Sequence, residues 1–274
     1  MMLGSDGLVV REVGQWTEEK LFYVRRYIDI FTAGMKAKWP RRVYIDLFAG
    51  PGRSVIEGTA REIEGSPLIA ATTGFPFTEL YLNDNDQRAA DALRTRLVRL
   101  GVNDATVTSE DCNDAALAAR RNLFSGVDAN RTLGLAFIDP TGFQIKLSAI
   151  EEMTRGLRID LIITVMTGYL RQFIGSASYQ VALDGFFGSN DWRGLLDLRR
   201  SGEQLTFRRL LDHYEGKLRG LGYLQVDDHI RILNSKEATI YHLVFASKHS
   251  RGADFFKKIR KKRFGGQWSL DLGE

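Results

Sequence analysis

The chain alternates between two spacings of apolar residues, one typical of helices and one typical of buried strands. Apolar residues recur at helical spacing over residues 17–38, where Leu21 and Val24 share one predicted face. Thr17 ahead of two glutamates is a helix-start signal. Residues 1–40 are therefore predicted to form a helical N-terminal extension.

Five later runs of branched and aromatic residues predict strands, with amphipathic helical patterns between them. Such alternation predicts an α/β fold with a mostly parallel sheet and helices on both faces. Two further strand patterns, HIRILN and TIYHLVFAS, flank the polar turn SKEA and predict a closing antiparallel hairpin, giving seven strands in all. The five runs are residues 43–46, 79–84, 105–111, 133–139 and 159–166.

The sequence contains no internal repeat and no low-complexity linker, so a single domain over residues 1–274 is predicted. Residues 167–200 interrupt the alternation after the fifth strand and are predicted to be an insertion for target or partner binding, because ligands collect at that edge of a parallel sheet. Before the second strand, Ser66 and Pro67 predict a helix that Ser66 caps and Pro67 begins.

The composition excludes several classes of protein. With 274 residues, 44% hydrophobic and 26% charged, the chain falls in the ordinary globular range. No apolar run approaches membrane-spanning length and no signal-peptide pattern is present, so a cytoplasmic protein without membrane association is expected. The single cysteine, Cys112, rules out an internal disulfide, and the four histidines lack metal-ligand spacing, so no metal is expected.

The cations cluster near the C-terminus. Between Arg251 and Arg263 there are seven basic residues and one acid, within a predicted basic C-terminal segment, residues 249–274. A narrow apolar stripe leaves the cations on the remaining surface of a predicted helix. The pattern is open to two interpretations, a solvated helix face or contact with nucleic-acid phosphates. The lysines of this proposed contact are Lys257, Lys258, Lys261 and Lys262.

The segment VYIDLFAGPG, residues 43–52, carries the most specific signal. A predicted strand ends at Asp46, and Gly50 and Gly52 in the following turn would let a ligand touch bare backbone. A dinucleotide fingerprint needs glycine or alanine where Val55 stands, so NAD is disfavoured. The pattern resembles motif I of class I S-adenosylmethionine (SAM) methyltransferases, in which the carboxylate faces the methionine part of the cofactor.

Four predicted strands end at an aspartate, and parallel strands bring their carboxyl ends to one edge of the sheet. Asp84, with Asp86 as the weaker alternative, could accept two hydrogen bonds from a ribose diol. Asp111 could accept one from the adenine amino group. Each aspartate alone could equally be a turn former or a helix cap. The four are Asp46, Asp84, Asp111 and Asp139.

The segment FIDPTGF, residues 137–143, fits methyl transfer to an exocyclic amine. That reaction needs the amine lone pair aimed at the methyl group, and Asp139 together with the carbonyl of Pro140 could accept the two N–H protons. An ordinary Asp-Pro turn is the alternative. Phe143 could stack on a flat target or pack in the core.

In the predicted insertion, Tyr169, Arg171 and Trp192 are possible target-binding residues, with packing as the alternative for the two aromatic rings.

Several motifs occur in one order along the chain: motif I, GSPL at 65–68, Asp84, DCN at 111–113, DPxG at 139–142 and FASKH at 245–249. In these the chain, from about Trp16 to Phe264, resembles the three-Cys-motif partner protein family, which are predicted class I SAM-dependent methyltransferases of Rossmann-like fold. The resemblance implies a partner, a radical-SAM-like protein that carries the cysteine motif.

The DPxG segment is also similar to the DPFG of tRNA guanine-N2 methyltransferases, with Thr141 in place of the aromatic residue. This implies an exocyclic base amine as the target. Together the two resemblances imply a catalytic role for Asp139 and Pro140. They imply SAM-binding roles for Asp46, Phe48, Gly50, Gly52, Asp84, Asp111 and Cys112.

Three functions are therefore predicted as alternatives. The leading hypothesis is a SAM-dependent N-methyltransferase of nucleic acid, with RNA favoured over DNA. The second is a partner protein of the three-Cys-motif protein that has no methyl transfer of its own. The third is a methyltransferase of small molecules, for which the C-terminal cations would be incidental.

Overall fold

A computed structural model of the chain describes residues 2–195, 207–226, 229–262 and 264–265. Its main feature is a seven-stranded sheet in the order β10-β11-β9-β8-β3-β6-β7. These strands are β3 (Arg41–Asp46), β6 (Glu79–Asn83), β7 (Ala105–Thr108), β8 (Thr132–Ile138), β9 (Ile159–Val165), β10 (His229–Leu233) and β11 (Thr239–Ala246).

Strands β9, β8, β3, β6 and β7 pair in parallel, whereas β11 is antiparallel to both β9 and β10. Strand β3, which ends at Asp46 of motif I, therefore lies inside the sheet, and the antiparallel hairpin of β10 and β11 forms one side of it. This seven-stranded, mostly parallel sheet has the class I methyltransferase order, as predicted.

Helices cover both faces of the sheet, as the alternation predicts. Side chains of α1, α2, α3 and α9 pack in one apolar cluster, and those of α4, α5, α6, α7 and α8 pack in the other. The helices are α1 (Trp16–Met35), α2 (Ser66–Ala71), α3 (Gln87–Arg99), α4 (Cys112–Phe124), α5 (Leu147–Thr154), α6 (Thr167–Phe173), α7 (Gln180–Phe187), α8 (Phe207–Gly220) and α9 (Ser250–Arg260).

A second, four-stranded sheet was not predicted. It has the order β1-β2-β4-β5, so the N-terminal extension is not wholly helical. Its strands are β1 (Met2–Leu3), β2 (Val9–Val13), β4 (Arg53–Ile56) and β5 (Glu62–Glu64). Two to five residues are too few to show a clear alternation, which is why the sequence pattern missed them.

Buried Arg96 of α3 joins the small sheet to the glycine turn. Its guanidinium donates to both carboxylate oxygens of Asp6 at 2.8 Å and to the carbonyls of Val9 and Pro51 at 2.8 and 2.5 Å. Arg96 is 3% exposed, so it does not extend the basic surface.

Two predicted helix starts differ in the structure. Helix α1 begins at Trp16 without a side-chain cap, and Thr17 is buried inside it. Helix α2 begins at Ser66 with Gly65 in the cap position. The Ser66 hydroxyl instead donates to a strand-end carboxylate, Asp46, because the turn brings the two together.

The predicted insertion forms α6, a 3-10 turn at Ala177–Tyr179 and α7. Trp192 is fully buried and its indole N–H donates to Asp184 at 2.8 Å. It therefore packs in the interior and does not bind a target. Residues 196–200 of this insertion, and 263 and 266–274 of the C-terminal segment, lie outside the described residues.

Among the described residues, no helix combines the length and the apolar character that crossing a membrane requires.

Candidate active site

Three strand-end aspartates lie on neighbouring strands at the carboxyl edge of the main sheet. Asp46 ends β3, opposite Leu82 of β6 on one side and Phe137 of β8 on the other. Asp84 follows Leu82 by two residues and Asp139 follows Phe137 by two. Neighbouring strands are about 4.8 Å apart, so Asp84 and Asp139 flank Asp46.

Asp46 is fully buried at the centre of this group. Its carboxylate accepts the Ser66 hydroxyl at 2.6 Å and the Phe48 backbone N–H at 3.1 Å. Burial raises the pKa of Asp46 to about 7, with a smaller contribution from the charges of Asp139 and Asp84, while the two hydrogen bonds oppose the rise. Asp46 therefore titrates near neutral pH.

The turn after β3 needs both of its glycines. Gly50 has φ +61° and Gly52 has φ +87°, conformations that side chains with a Cβ rarely adopt. A Cβ at Gly52 would lie 2.9 Å from Leu93 of α3 and 3.2 Å from Leu68 of α2. The turn therefore packs directly against α2 and α3, and its backbone lies at the carboxyl edge of the sheet.

Asp84 fixes this turn to the next strand. Its carboxylate accepts the Gly50 N–H at 2.8 Å and the Asp86 N–H at 3.1 Å. Asp84 is 4% exposed. Asp86, the weaker alternative, points its side chain to the Arg88 N–H and caps α3.

Arg11 of β2 lies over the turn. Its guanidinium donates to the Asp84 carboxylate at 3.1 Å and is 3.7 Å from the position of a Cβ at Gly50. The Arg11 side chain is 44% exposed. A cation from the small sheet therefore pairs with Asp84 from a position that opens to solvent.

Lys20 of α1 pairs with Asp139 in the same way. The Lys20 ammonium donates to Oδ2 of Asp139 at 2.5 Å and lies 5.3 Å from the centre of the Tyr241 ring. The pair is largely enclosed, with 11% of the Lys20 side chain and 21% of the Asp139 side chain exposed. Pro140, next in the chain, is buried.

Asp111 lies beyond the end of β7, which stops at Thr108. The predicted strand over residues 105–111 is too long, because the Asp111 carboxylate caps α4 by accepting the Asn113 N–H at 2.8 Å. Cys112 begins α4 and is buried, and burial raises the pKa of its thiol to about 12. The Cys112 thiol is therefore protonated at neutral pH and unreactive.

Asn113 connects this corner to the Asp139 loop. Its side chain donates to the Gln144 carbonyl at 3.1 Å and accepts the Lys146 N–H at 2.8 Å. The loop that carries Asp139 is thereby held against the start of α4. Asn113 belongs to the DCN motif, but the motif did not predict its contacts with Gln144 and Lys146.

Aromatic rings border the Asp139 loop. Phe143 is 6% exposed, and its ring centre lies 5.8 Å from that of Tyr169 and 6.0 Å from that of Tyr179. Tyr169 and Tyr179 are half-buried, and Phe173 lies 4.4 Å from Tyr169. Phe143 is a core residue beneath a partly exposed aromatic surface.

The predicted cations lie on α6, on α9 and directly after α9. Arg171 is exposed on α6. On α9, Phe255, Phe256 and Ile259 form the predicted apolar stripe and are buried. Lys257, Lys258 and Lys261 are exposed and Lys262 is half-buried.

Sequence reasoning missed Arg11, Lys20 and the role of Ser66. Lys20 had a signal, because it lies four positions before Val24 and seven before Tyr27 and so falls on the apolar face of α1. Arg11 on its short strand had none. Within the described ranges no group of histidine, cysteine or acidic side chains could hold a metal ion.

No protein-family model matches the chain, and no curated protein matches it. Solved structures do resemble it. Protein LPL1258 of Legionella pneumophila, of the family model DUF519, is 12% identical, with 88% of this chain and 91% of that chain covered and a TM-score of 0.53.

The names of two further structures state a ligand or an activity. TYW2 of M. jannaschii, in complex with AdoMet, is 12% identical, with 85% and 76% coverage and a TM-score of 0.43. A SAM-dependent O-methyltransferase of Thermotoga maritima is 12% identical, with 81% and 64% coverage and a TM-score of 0.39.

The likeness to the Legionella protein confirms the predicted fold over most of the chain, and at this identity it concerns the fold alone.

Proposed function

We propose that this protein is a SAM-dependent N-methyltransferase of nucleic acid, with RNA favoured over DNA and an exocyclic base amine as target. The observation that carries the proposal is the arrangement of Asp46, Asp84 and Asp139 around the double-glycine turn, at the carboxyl edge of a class I methyltransferase sheet. Ligands of open parallel sheets bind at this edge.

The residues present fit SAM. The bare backbone at Gly50 and Gly52 allows close approach of a ligand, and the Asp84 carboxylate beside it would accept a ribose diol once Arg11 turns away. Asp46 lies deeper and would face the methionine ammonium. Phe48, Asp111 and Cys112 would border the remainder of the cofactor.

Bound SAM supplies an electrophilic methyl group, so the chain needs no strong base. Asp139 has one carboxylate oxygen on Lys20, which leaves the other to accept an N–H of the target amine. The carbonyl of Pro140 would accept the second N–H. Both contacts orient the nitrogen lone pair, and orientation is the main catalytic contribution required here.

The nucleic-acid substrate is supported by charge and by the aromatic surface. Lys257, Lys258 and Lys261 present cations for phosphate contact. Tyr169 and Tyr179 lie beside the Asp139 loop, where a flat base could stack. A small-molecule substrate would need neither feature.

Transfer of tritium from labelled SAM into total RNA or DNA tests the proposal. Asp139→Ala is expected to lower the transfer at least a hundredfold, because a misoriented reactant costs about that much. Asp128→Ala is the matched control, since Asp128 caps the turn at the opposite end of β8.

Because Asp139→Ala leaves Lys20 without its acid, calorimetry with S-adenosylhomocysteine (SAH) checks that the variant folds, and Asp139→Asn serves as the isosteric second variant. Labelling that survives both substitutions would show that Asp139 is not the amine-holding residue. Failure of the wild-type protein to bind SAH at millimolar concentration would remove the cofactor from the proposal.

A second candidate function is favoured by the two internal ion pairs. Arg11 on Asp84 and Lys20 on Asp139 satisfy both carboxylates without any ligand. This arrangement suits a protein of the three-Cys-motif partner family that acts through its radical-SAM-like partner. SAH binding without label transfer to RNA or DNA, together with co-purification with that partner, would favour this function.

A further inference from the structure

A groove at the amino edge of the main sheet lies opposite the candidate active site. It is bordered by the end of α1, the beginnings of β8 and β9, and the beginning of α9, and its volume is about 480 Å³. Strand β9, seven residues long, separates the two edges by roughly 23 Å. The groove is therefore distinct from the site around Asp46.

The floor of the groove is apolar, and a half-exposed indole borders it. Phe31, Met35 and Phe255 are buried beneath it, and Trp39 lies at its side. The Arg158 guanidinium is 5.5 Å from the centre of the Trp39 ring. A ring held beside a cation in this way presents a flat surface to a ligand that carries both a base and a negative charge.

Exposed cations surround that indole. Lys38, Arg158 and Arg251 come from three distant parts of the chain and are all exposed at the groove. Lys248 is already engaged, because its ammonium donates to the carbonyls of Thr154 at 2.8 Å and Leu157 at 3.3 Å. Arg158 donates to the neutral Asn130 side chain at 3.1 Å, so Lys38, Arg158 and Arg251 still offer positive charge to an anion.

The acid in the groove lining does not cancel this charge for a ligand. The Asp160 carboxylate accepts the Tyr27 hydroxyl at 3.1 Å, and the neighbouring Ser247 hydroxyl donates to the His249 carbonyl at 3.0 Å. Burial raises the pKa of Asp160 to about 6. Asp160 is therefore part of the packing between α1 and β9, whereas the cations are at the rim.

We propose that this groove is a second binding site for single-stranded nucleic acid, with phosphates on Arg158 and Arg251 and a base over Trp39. The occupant is argued from charge complementarity together with the indole, because a polyanion without bases would use the cations alone. The inference builds on the proposed nucleic-acid substrate and assigns part of its binding to a surface remote from the methyl transfer.

Fluorescence anisotropy with a fluorescein-labelled single-stranded RNA of about 16 nucleotides tests the site. Arg158→Glu and Arg251→Glu are each expected to weaken binding by about tenfold at low salt. The slope of log affinity against log salt should fall by roughly 0.7 for each phosphate that the variant no longer binds. Trp39→Leu should weaken binding about tenfold and leave that slope unchanged.

Arg99→Glu is the matched control, because Arg99 is an exposed arginine at the end of α3, elsewhere on the protein. It should change RNA affinity less than twofold. Equal losses in Arg99→Glu and Arg158→Glu would overturn the proposal, since they would show an unspecific response to net charge. Unchanged affinity in Arg158→Glu and Arg251→Glu would overturn it as well.

Two further measurements separate the remaining outcomes. Weaker binding of Arg251→Glu to phosphatidylserine vesicles, with unchanged RNA binding, would assign the groove to membranes and overturn the proposal. SAH calorimetry on each variant shows whether the fold is intact. If the wild-type protein binds RNA through the groove but does not bind SAH, the second site stands and the methyltransferase function fails.

Discussion

The two edges of the main sheet carry opposite charge. At the carboxyl edge, Asp46, Asp84 and Asp139 surround the glycine turn. At the amino edge, Lys38, Arg158 and Arg251 surround Trp39. The carboxyl edge thus holds acids, and the amino edge holds cations.

The two regions also differ in how their charges are satisfied. At the carboxyl edge Arg11 and Lys20 reach in from the N-terminal segment and neutralise Asp84 and Asp139. At the amino edge the acid of the groove, Asp160, accepts the uncharged Tyr27 hydroxyl. The carboxyl edge is therefore preorganised by internal cations that a ligand must displace or share, whereas the amino edge presents its cations to solvent.

The largest effect on this comparison is expected from Asp84→Asn. Loss of the negative charge would weaken the two charge-assisted hydrogen bonds that we propose between Asp84 and the ribose, each of about 1.5–3 kcal/mol. SAH affinity measured by calorimetry should fall at least tenfold. Asp86→Asn is the control at the same edge, because Asp86 caps α3 and asparagine caps helices about equally well, so SAH affinity and thermal stability should both change little.

The next effect concerns pH and Asp46. The pKa of about 7 means that the carboxylate loses its charge as pH falls through neutrality. SAH affinity should therefore fall about fivefold between pH 7 and pH 6, and this dependence should vanish in Asp46→Asn. A wild-type affinity that is constant between pH 6 and 8 would show that Asp46 does not contact the cofactor ammonium.

The same pKa fixes the sign of a stability change. Burial raises the pKa of Asp46 above its unfolded value of about 4. Between about pH 4 and 7 the folded protein holds a proton that the unfolded chain releases, so this contribution to stability decreases as pH rises. In chemical denaturation, the free energy of unfolding of Asp46→Asn should decrease less between about pH 4 and 7 than that of the wild-type protein.

A smaller effect is expected from Arg11→Ala. Asp84 is buried but 44% of the Arg11 side chain is exposed, and solvent on the arginine side keeps the pair to about 1 kcal/mol, so removing this competitor should tighten SAH binding by up to about fivefold. Weaker SAH binding would show instead that Arg11 holds the cofactor. Arg25→Ala provides the control, since the Arg25 side chain is about as exposed as that of Arg11 and pairs with Glu64 instead of Asp84.

The smallest effect is expected when the amino edge is changed and the carboxyl edge is measured. Arg158→Glu should alter SAH affinity less than twofold, because roughly 23 Å exceeds the Debye length of about 8 Å at physiological salt. A larger change in SAH affinity would mean that a charge at the amino edge affects the carboxyl edge, so that the two edges do not act independently.

Much of the carboxyl edge was predictable because it depends on local order in the chain. Asp46, Gly50 and Gly52 occur within seven residues, and the strand period places them at one end of β3. Asp84 and Asp139 follow from the same period on neighbouring strands. Asp111 was misplaced at a strand end, since strand propensity over residues 105–111 does not show that an aspartate will cap the next helix.

The amino edge was not predictable in the same way. Lys38, Arg158 and Arg251 are separated by about a hundred residues each, and each resembles an ordinary surface cation in its own segment. The FASKH motif contained Lys248, but its contacts with Thr154 and Leu157 join parts of the chain that no local pattern relates.

The sequence by itself determined the alternation of strands and helices, the glycine turn and the acids at the strand ends, because these follow from periods of two and 3.6 residues and from backbone sterics. Only the tertiary structure decided that Arg11 and Lys20 neutralise those acids and that three remote cations meet around Trp39. The physical reason is that side-chain pairing across long separations depends on how helices and sheets pack, which local spacing does not encode.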